Sequence, residues 1–337
     1  MHEITAAEAR EQRERSLRNG TGSETGALAA ILFLCACMSS CDGGSSTAAA
    51  EKLAAGGGFF AAVDGTHMYY TTYSSAGGPI NRISKKGGTP TSLADGQVQA
   101  MAIATDGRYV YWLNQSDPGS STGQLNKVPV GGGPVENMAT GIPYNYDLKV
   151  DGTDLYLATS SGLKKIPTSG GTLAQIQDGY FNGVAFDGSY IYGLESIALF
   201  KIPKAGGVAV SLCDPNAYSG SYPNGGLAVG ATHVFWTMSS SGNGAIMKVP
   251  LAGGTPSVVL SSIAEPRALA SEGRYLFYAC ESATSPGIYQ MTADGGTPVQ
   301  LSAAGQLTFA YNLAPGGDGY LYWNAFAPWR APIEVLP

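Results

Sequence analysis

The residues with chemistry to offer recur at one point of the chain's pattern. Phe59, Met101, Tyr146 with Asp147, Asn182, Asn224, Arg267, and Tyr311 with Asn312 each stand at the head of a short apolar run. Aromatic faces beside amides, a carboxylate and a guanidinium can stack on a sugar ring or an apolar side chain while the polar groups take hydrogen bonds. That is the chemistry of a binding rim. A divalent cation is the alternative, because Asp147, Asn182, Asn224 and Glu265 supply the oxygen ligands that Ca²⁺ or Mg²⁺ prefers. No ligand-spacing motif supports the metal and Arg267 opposes it, so the expected cofactor is none, with Ca²⁺ or Mg²⁺ as the alternative.

Catalysis needs reactive groups that converge, and the chain is poor in them. It has 3 histidines, and His2 precedes the apolar run near the N-terminus. His67 and His233 occupy equivalent places beside tight turns, which points to repeat ancestry and not to a catalytic pair. No Walker, HExxH or CxxC pattern occurs. A non-catalytic reading is favoured.

The elements that must position this rim are repeats. Tyr69, Tyr111, Tyr156, Tyr192, Phe235, Phe277 and Tyr322 follow one another at intervals of 36 to 45 residues. Five residues ahead of each lies a turn: Asp64-Gly65, Asp106-Gly107, Asp151-Gly152, Asp187-Gly188, Gly230-Ala231, Glu272-Gly273 and Gly317-Asp318. Asp-Gly between apolar strands is a hairpin signal, since both residues tolerate positive φ. A second anchor, Arg82, Lys127, Lys165, Lys201, Lys248 or Gln290, precedes a glycine pair by five residues. Each unit therefore reads strand A, turn, strand B, loop, strand C, turn, strand D. A four-stranded unit of roughly 40–45 residues is one propeller blade. The expected fold is all-β: a seven-bladed β-propeller of four-stranded antiparallel blades, with six or eight blades as alternatives. Small residues of strand A fit a crowded channel, the B aromatics pack blade on blade, and the basic column on C reads as a solvated outer face. The A–B and C–D turns make one uniform face. The B–C and D–A loops vary in length and make the other, where function usually sits. In the seventh unit a last strand is expected at Ile333–Leu336, and Ala49–Gly56 (AAEKLAAG) is expected to supply the missing outer strand and close the ring.

Composition agrees. Only 13% of residues are charged, 47 are glycine and 19 are proline, which disfavours long helices. A net charge of −6 offers no basic footprint for nucleic acid. Ala27–Met38 is apolar over a length that fits a signal-peptide core and is short for a membrane span. The organisation expected is a signal and lipidation region at 1–41, a flexible Gly/Ser tether at 42–48 and one propeller at 49–337. Cys213 and Cys280 lie in non-equivalent places of different repeats, so no disulfide is expected between them.

Leu34-Cys35-Ala36-Cys37 resembles a bacterial lipoprotein lipobox, which implies acylation of Cys37, with Cys41 as the alternative. Val110-Tyr111-Trp112, Val234-Phe235-Trp236-Thr237 and Leu321-Tyr322-Trp323 resemble the YWTD propellers of low-density-lipoprotein-receptor relatives. The DG…VYW…KVP…GG units look closer still to bacterial lipoprotein propellers. The lipobox resemblance implies export and a lipid anchor as the sole membrane attachment, with secretion as the alternative if no cysteine is acylated, and the propeller resemblance implies the fold. The function expected is that of a monomeric, envelope-tethered binding or scaffolding module. Its partner would be a protein segment or a glycan at the variable face. The alternative is a metal-dependent lactonase- or lyase-like propeller enzyme.

Overall fold

The computed structural model describes residues 50–115, 122–195, 198–214, 222–239, 244–263, 265–281, 286–302 and 310–336. The apolar N-terminal run, Cys37, Cys41 and the tether lie outside them. Strand bounds follow the repeat. Blade 1 is Ala61–Val63, His67–Thr71, Gly78–Ser84 and Thr91–Gln97. Blade 2 is Ala100–Thr105, Tyr109–Gln115, Thr122–Pro129 and Glu136–Pro143. Blade 3 is Asn145–Asp151, Asp154–Thr159, Gly162–Pro167 and Ala174–Gln177. Blade 4 is Phe181–Phe186, Tyr190–Glu195, Leu199–Pro203 and Val210–Cys213. Blade 5 is Tyr222–Val229, His233–Ser239, Gly244–Pro250 and Ser257–Ile263. Blade 6 is Pro266–Glu272, Tyr275–Cys280, Gly287–Thr292 and Val299–Gln300.

Blade 7 takes Leu313–Pro315, Tyr320–Asn324 and Pro328–Pro332 from the end of the chain and Glu51–Lys52 from its beginning. Glu51 pairs with Arg330 and Lys52 with Trp329, antiparallel. The expected N-terminal closure is therefore present. The expected strand at Ile333–Leu336 is not: strand C begins earlier, because a tight turn through Phe326 (φ 56°) pairs Asn324 directly with Pro328. Every sheet is four-stranded and there are seven of them.

Burial explains why strand B reads as an unbroken apolar run. Side chains alternate across a strand, and here both faces are covered by neighbouring blades. Val110 and Trp112 join the core shared by blades 1 and 2, whereas Tyr111 and Leu113 join the core shared by blades 2 and 3. Seven such clusters fill the interfaces in turn, the last of them joining Tyr322 to Ala61, Met68 and Tyr70 across the closure. Buried tyrosine and tryptophan are each worth a few kcal/mol.

The turn aspartates act through their carboxylates and not through positive φ, which none of the described aspartates adopts. Oδ1 of Asp64 accepts the backbone N–H groups of Thr66 and His67, and Oδ2 accepts the Tyr69 hydroxyl at 2.6 Å. Asp106 with Tyr111 and Asp187 with Tyr192 repeat the arrangement. In blade 7 the partner of Tyr322 is Asp318, four residues away, which fixes the one irregular register. Burial pushes the carboxyls of Asp64, Asp187 and Asp318 up, but their hydrogen bonds, helped by Lys201 beside Asp187 and Lys85 beside Asp318, outweigh it and hold them below the usual carboxylate range.

Most of the basic column on strand C is not a solvated face; Lys165 is an exception, half-exposed and paired with Asp154 of its own blade at 3.5 Å. Arg82 donates to the Val130 carbonyl (2.7 Å), Lys127 to Thr168 (3.2 Å), Lys201 to Leu251 (2.7 Å) and Arg330 to Lys85 (2.5 Å). Each acceptor is the residue just past strand C of the next blade. Gln290 does the same toward Glu334 (2.6 Å) and is fully buried. Lys127, Lys201 and Arg330 also lie 4.0–4.7 Å over the rings of Tyr109, Tyr190 and Tyr320. The stems pack and the heads bridge, so the column latches blade to blade. Arg330 is its seventh-blade member.

Candidate binding site at the variable face

The inner strands have to bring their ends together, and they do so through bulges. Pairing of strand A with strand B slips between Met101 and Ile103, Asn145 and Asp147, Phe181 and Gly183, Pro223 and Leu227, and Pro266 and Leu269. Tyr146, Asn182, Asn224 and Arg267 fall within these bulges and Met101 and Asp147 flank them, whereas Phe59, Tyr311 and Asn312 precede the regularly paired inner strands of blades 1 and 7. A bulge leaves a residue outside the ladder and re-aims it, which is why polar residues can sit there at little cost to the sheet. Below the bulges the strands nearly touch: a Cβ on Gly183 would lie 2.6 Å from the Gly225 carbonyl oxygen.

The rim residues divide into two groups. Asn312 spends its amide on the backbone N–H (2.8 Å) and carbonyl of Ala61, pinning blade 7 to blade 1. Asp147 pairs with Lys149 (3.1 Å) and accepts the Val184 N–H of the next blade (3.2 Å). Met101 packs partly buried against the core between blades 1 and 2. Asn182 is half-buried at its bulge. For Tyr146 and Asn224 the backbone alone is described.

Phe59, Arg267 and Tyr311 come together. Tyr311 stacks on Phe60 (5.6 Å, 25°) and meets Phe59 edge-on (5.5 Å). Phe59 in turn contacts Tyr73 at 5.6 Å and Phe326 at 5.1 Å. Backbone bonds from Tyr311 N–H to Phe59 O and from Phe326 N–H to Gly58 O hold the segments together. Tyr73, Tyr311 and Phe326 are 42–48% exposed, so this is an uncovered aromatic patch, built where the chain closes on itself. Contiguous exposed apolar patches rimmed by polar groups mark interaction sites.

Arg267 lies 5.7 Å over the Tyr311 ring and forms an ion pair with Glu281. Glu281 was not foreseen. It ends the apolar strand Tyr275–Cys280, its side chain is 3% exposed, and its Oε1 has no hydrogen-bond partner among the described residues. Burial pushes its carboxyl up to about 7; Arg267 pulls it down and Glu265 pushes it further up. The Tyr311 hydroxyl is raised chiefly by burial, with Glu281 adding to the rise, Arg267 opposing it, and Tyr144 and Tyr73 near enough to contribute. A charged residue directly after an all-apolar strand was the available signal.

Among the described residues no three of His, Cys, Asp and Glu gather as metal ligands, and Asp147 is committed to Lys149 and Val184. His67 and His233 each contact the preceding threonine hydroxyl (2.7 and 2.8 Å) in the same way on the uniform face. Cys213 and Cys280 are free thiols.

Neither the protein-family models nor the curated proteins give a match. Solved structures do. Streptogramin B lyase aligns with a TM-score of 0.64 at 13% identity, over 84% of this chain and 96% of that one. A chain of the nidogen/laminin complex aligns with 0.52 at 16% identity, over 70% and 94%. The extracellular domain of a putative one component system from B. thetaiotaomicron aligns with 0.64 at 11% identity, over 86% of this chain and 40% of that one. At such identities the likeness establishes the propeller fold and nothing further.

Proposed function

We propose that the chain is an exported, non-catalytic binding or scaffolding propeller, tethered to the cell envelope through Cys37 or Cys41, whose partner is a protein segment or a glycan at the variable face. The observation that carries the reading is the exposed aromatic patch of Phe59, Tyr73, Tyr311 and Phe326 beside Arg267. On the opposite face the turn aspartates and the strand C latches are engaged in bonds that hold the turns and blades together. A fold whose neighbours include both a lyase and the extracellular domain of a putative one component system is compatible with either class, and the patch supports the binding reading.

Arg267 is a poor first target, since its removal strands the buried Glu281 carboxylate and destabilises the fold. The test uses the full chain with Asn182→Ala and Tyr311→Ala combined, against Arg108→Ala on the exposed uniform face. Retention on peptide and glycan arrays is expected to fall at least about tenfold in the first variant, the loss of one or two aromatic and polar contacts. Arg108→Ala is expected to bind like the parent. Retention lost with Arg108→Ala and kept with the rim variant would place recognition on the other face.

A further inference from the structure

Resting on the binding reading above, we infer that the patch of Phe59, Tyr73, Tyr311 and Phe326, floored by the Arg267–Glu281 pair, takes a ring of a neutral carbohydrate. The charges select the ligand class. Arg267 and Glu281 are paired, so the floor presents a guanidinium donor and a carboxyl acceptor, and above about pH 7, where Glu281 is ionised, it carries little net charge. A cationic ligand would meet Arg267, already seated over Tyr311, and an anionic one would meet Glu281, the neighbouring Glu265 and a chain of net charge −6. Either would lose to like-charge repulsion what it gained from the opposite partner. A neutral polyol uses both, because each hydroxyl donates and accepts.

Glu281 supplies the second, independent observation. Its Oε1 is buried with no donor among the described residues, and an unmet buried acceptor is costly. A ligand hydroxyl that reaches it as the Arg267 side chain shifts adds the missing donor without adding charge. The aromatic rings supply the other half of sugar recognition. Tyr311, held between Phe60 and Arg267, braces the patch, while Tyr73 and Phe326, 43% and 48% exposed, offer ring surface to the C–H face of a pyranose. A peptide that bound by strand addition would call for a free sheet edge or a run of backbone partners. In this part of the wall the inner-strand carbonyls are engaged across blades: Ala61 O accepts Asn312, Phe60 O accepts Asn324 at 3.2 Å, and Arg267 O accepts Thr237 at 3.1 Å.

The test titrates the full chain with cellohexaose, xylohexaose, maltohexaose and chitohexaose by calorimetry, with polylysine and polygalacturonate as charged comparators. At least one neutral hexasaccharide is expected to bind with an affinity insensitive to added salt. Tyr73→Ala, which removes one aromatic surface, and Tyr311→Ala, which removes the ring that seats Arg267, are each expected to weaken it about tenfold. Arg267→Lys, which keeps the charge and loses the planar fork, is expected to weaken it severalfold with the melting temperature little changed. Arg108→Ala is expected to change nothing. Absence of titration with every neutral sugar, or sugar binding that survives Tyr311→Ala, overturns the inference. A charged polymer bound more tightly and lost in the same variants overturns the ligand class. A peptide held on the arrays and lost with the Asn182 and Tyr311 pair, while no sugar titrates, overturns the carbohydrate assignment and leaves the binding-module reading standing.

Discussion

Gly226→Ala is expected to cost about 3 kcal/mol, which lowers the melting temperature by roughly 5–10 °C. A Cβ at this position would fall 2.1 Å from the Arg267 carbonyl oxygen and 2.6 Å from the Thr237 hydroxyl. Those two groups are bonded to each other at 3.1 Å, and the first is main chain, so neither can retreat alone. The inner strands of blades 5 and 6 are thus packed backbone to backbone, and only a residue without a side chain fits between them. Gly131→Ala is the control, since nothing lies within 4 Å of its Cβ, and it is expected to be near neutral. Equal melting temperatures for the two variants would contradict the close approach. Because Arg267 sits on the displaced backbone, Gly226→Ala should also loosen the Arg267–Glu281 pair.

The second large effect is a pH dependence of stability. In the unfolded chain Glu281 ionises near pH 4.3, whereas burial holds the folded carboxyl up to about 7 against the pull of Arg267. Between those values the folded state keeps a proton that the unfolded state gives up. Stability is therefore full below the unfolded pKa and falls as pH rises to about 7, by about 4 kcal/mol at most. Asp64, Asp187 and Asp318 act in the opposite direction. Their folded pKa values are depressed, so their contribution is present above about pH 4 and is lost as pH falls through the folded values. The two trends place the stability maximum near pH 4 to 5. Urea midpoints for the parent are expected to fall from pH 5 to pH 8, and Glu281→Gln is expected to flatten that arm. A parent profile that is level or rising over this range, or a glutamine variant that keeps the slope, contradicts the burial of the carboxylate.

The scaffold was legible because a repeat states its rule many times. One Asp-Gly followed by a tyrosine is a turn; the same spacing across Asp64, Asp106, Asp151 and Asp187 is a blade. Closure was legible for the same reason, since Ala49–Gly56 copies the outer strand of other units. Long-range partners were not. Arg82 and Val130 are 48 positions apart, and their bond exists only because the ring sets one blade's strand C beside the next. A column of cations read alone looks solvated. The seventh strand C escaped because the turn at Phe326 carries no glycine signal. At the rim, the pattern located the ring of positions but could not separate Asn312, used up on Ala61, from Tyr311, one residue before it and exposed. Glu281 escaped because burial of a lone carboxylate is a tertiary fact.

The central claim is that recognition belongs to the variable mouth and assembly to the turn face. Hydroxyl-radical footprinting of the full chain, with and without a total envelope extract, tests it most directly, because tyrosines report on both faces. The expected result is protection of Tyr73, Tyr144, Tyr311 and Phe326, with Tyr109, Tyr190, Tyr275 and Tyr320 at the turns unchanged. Protection of the turn tyrosines while Tyr73, Tyr144 and Tyr311 stay fully reactive would contradict it.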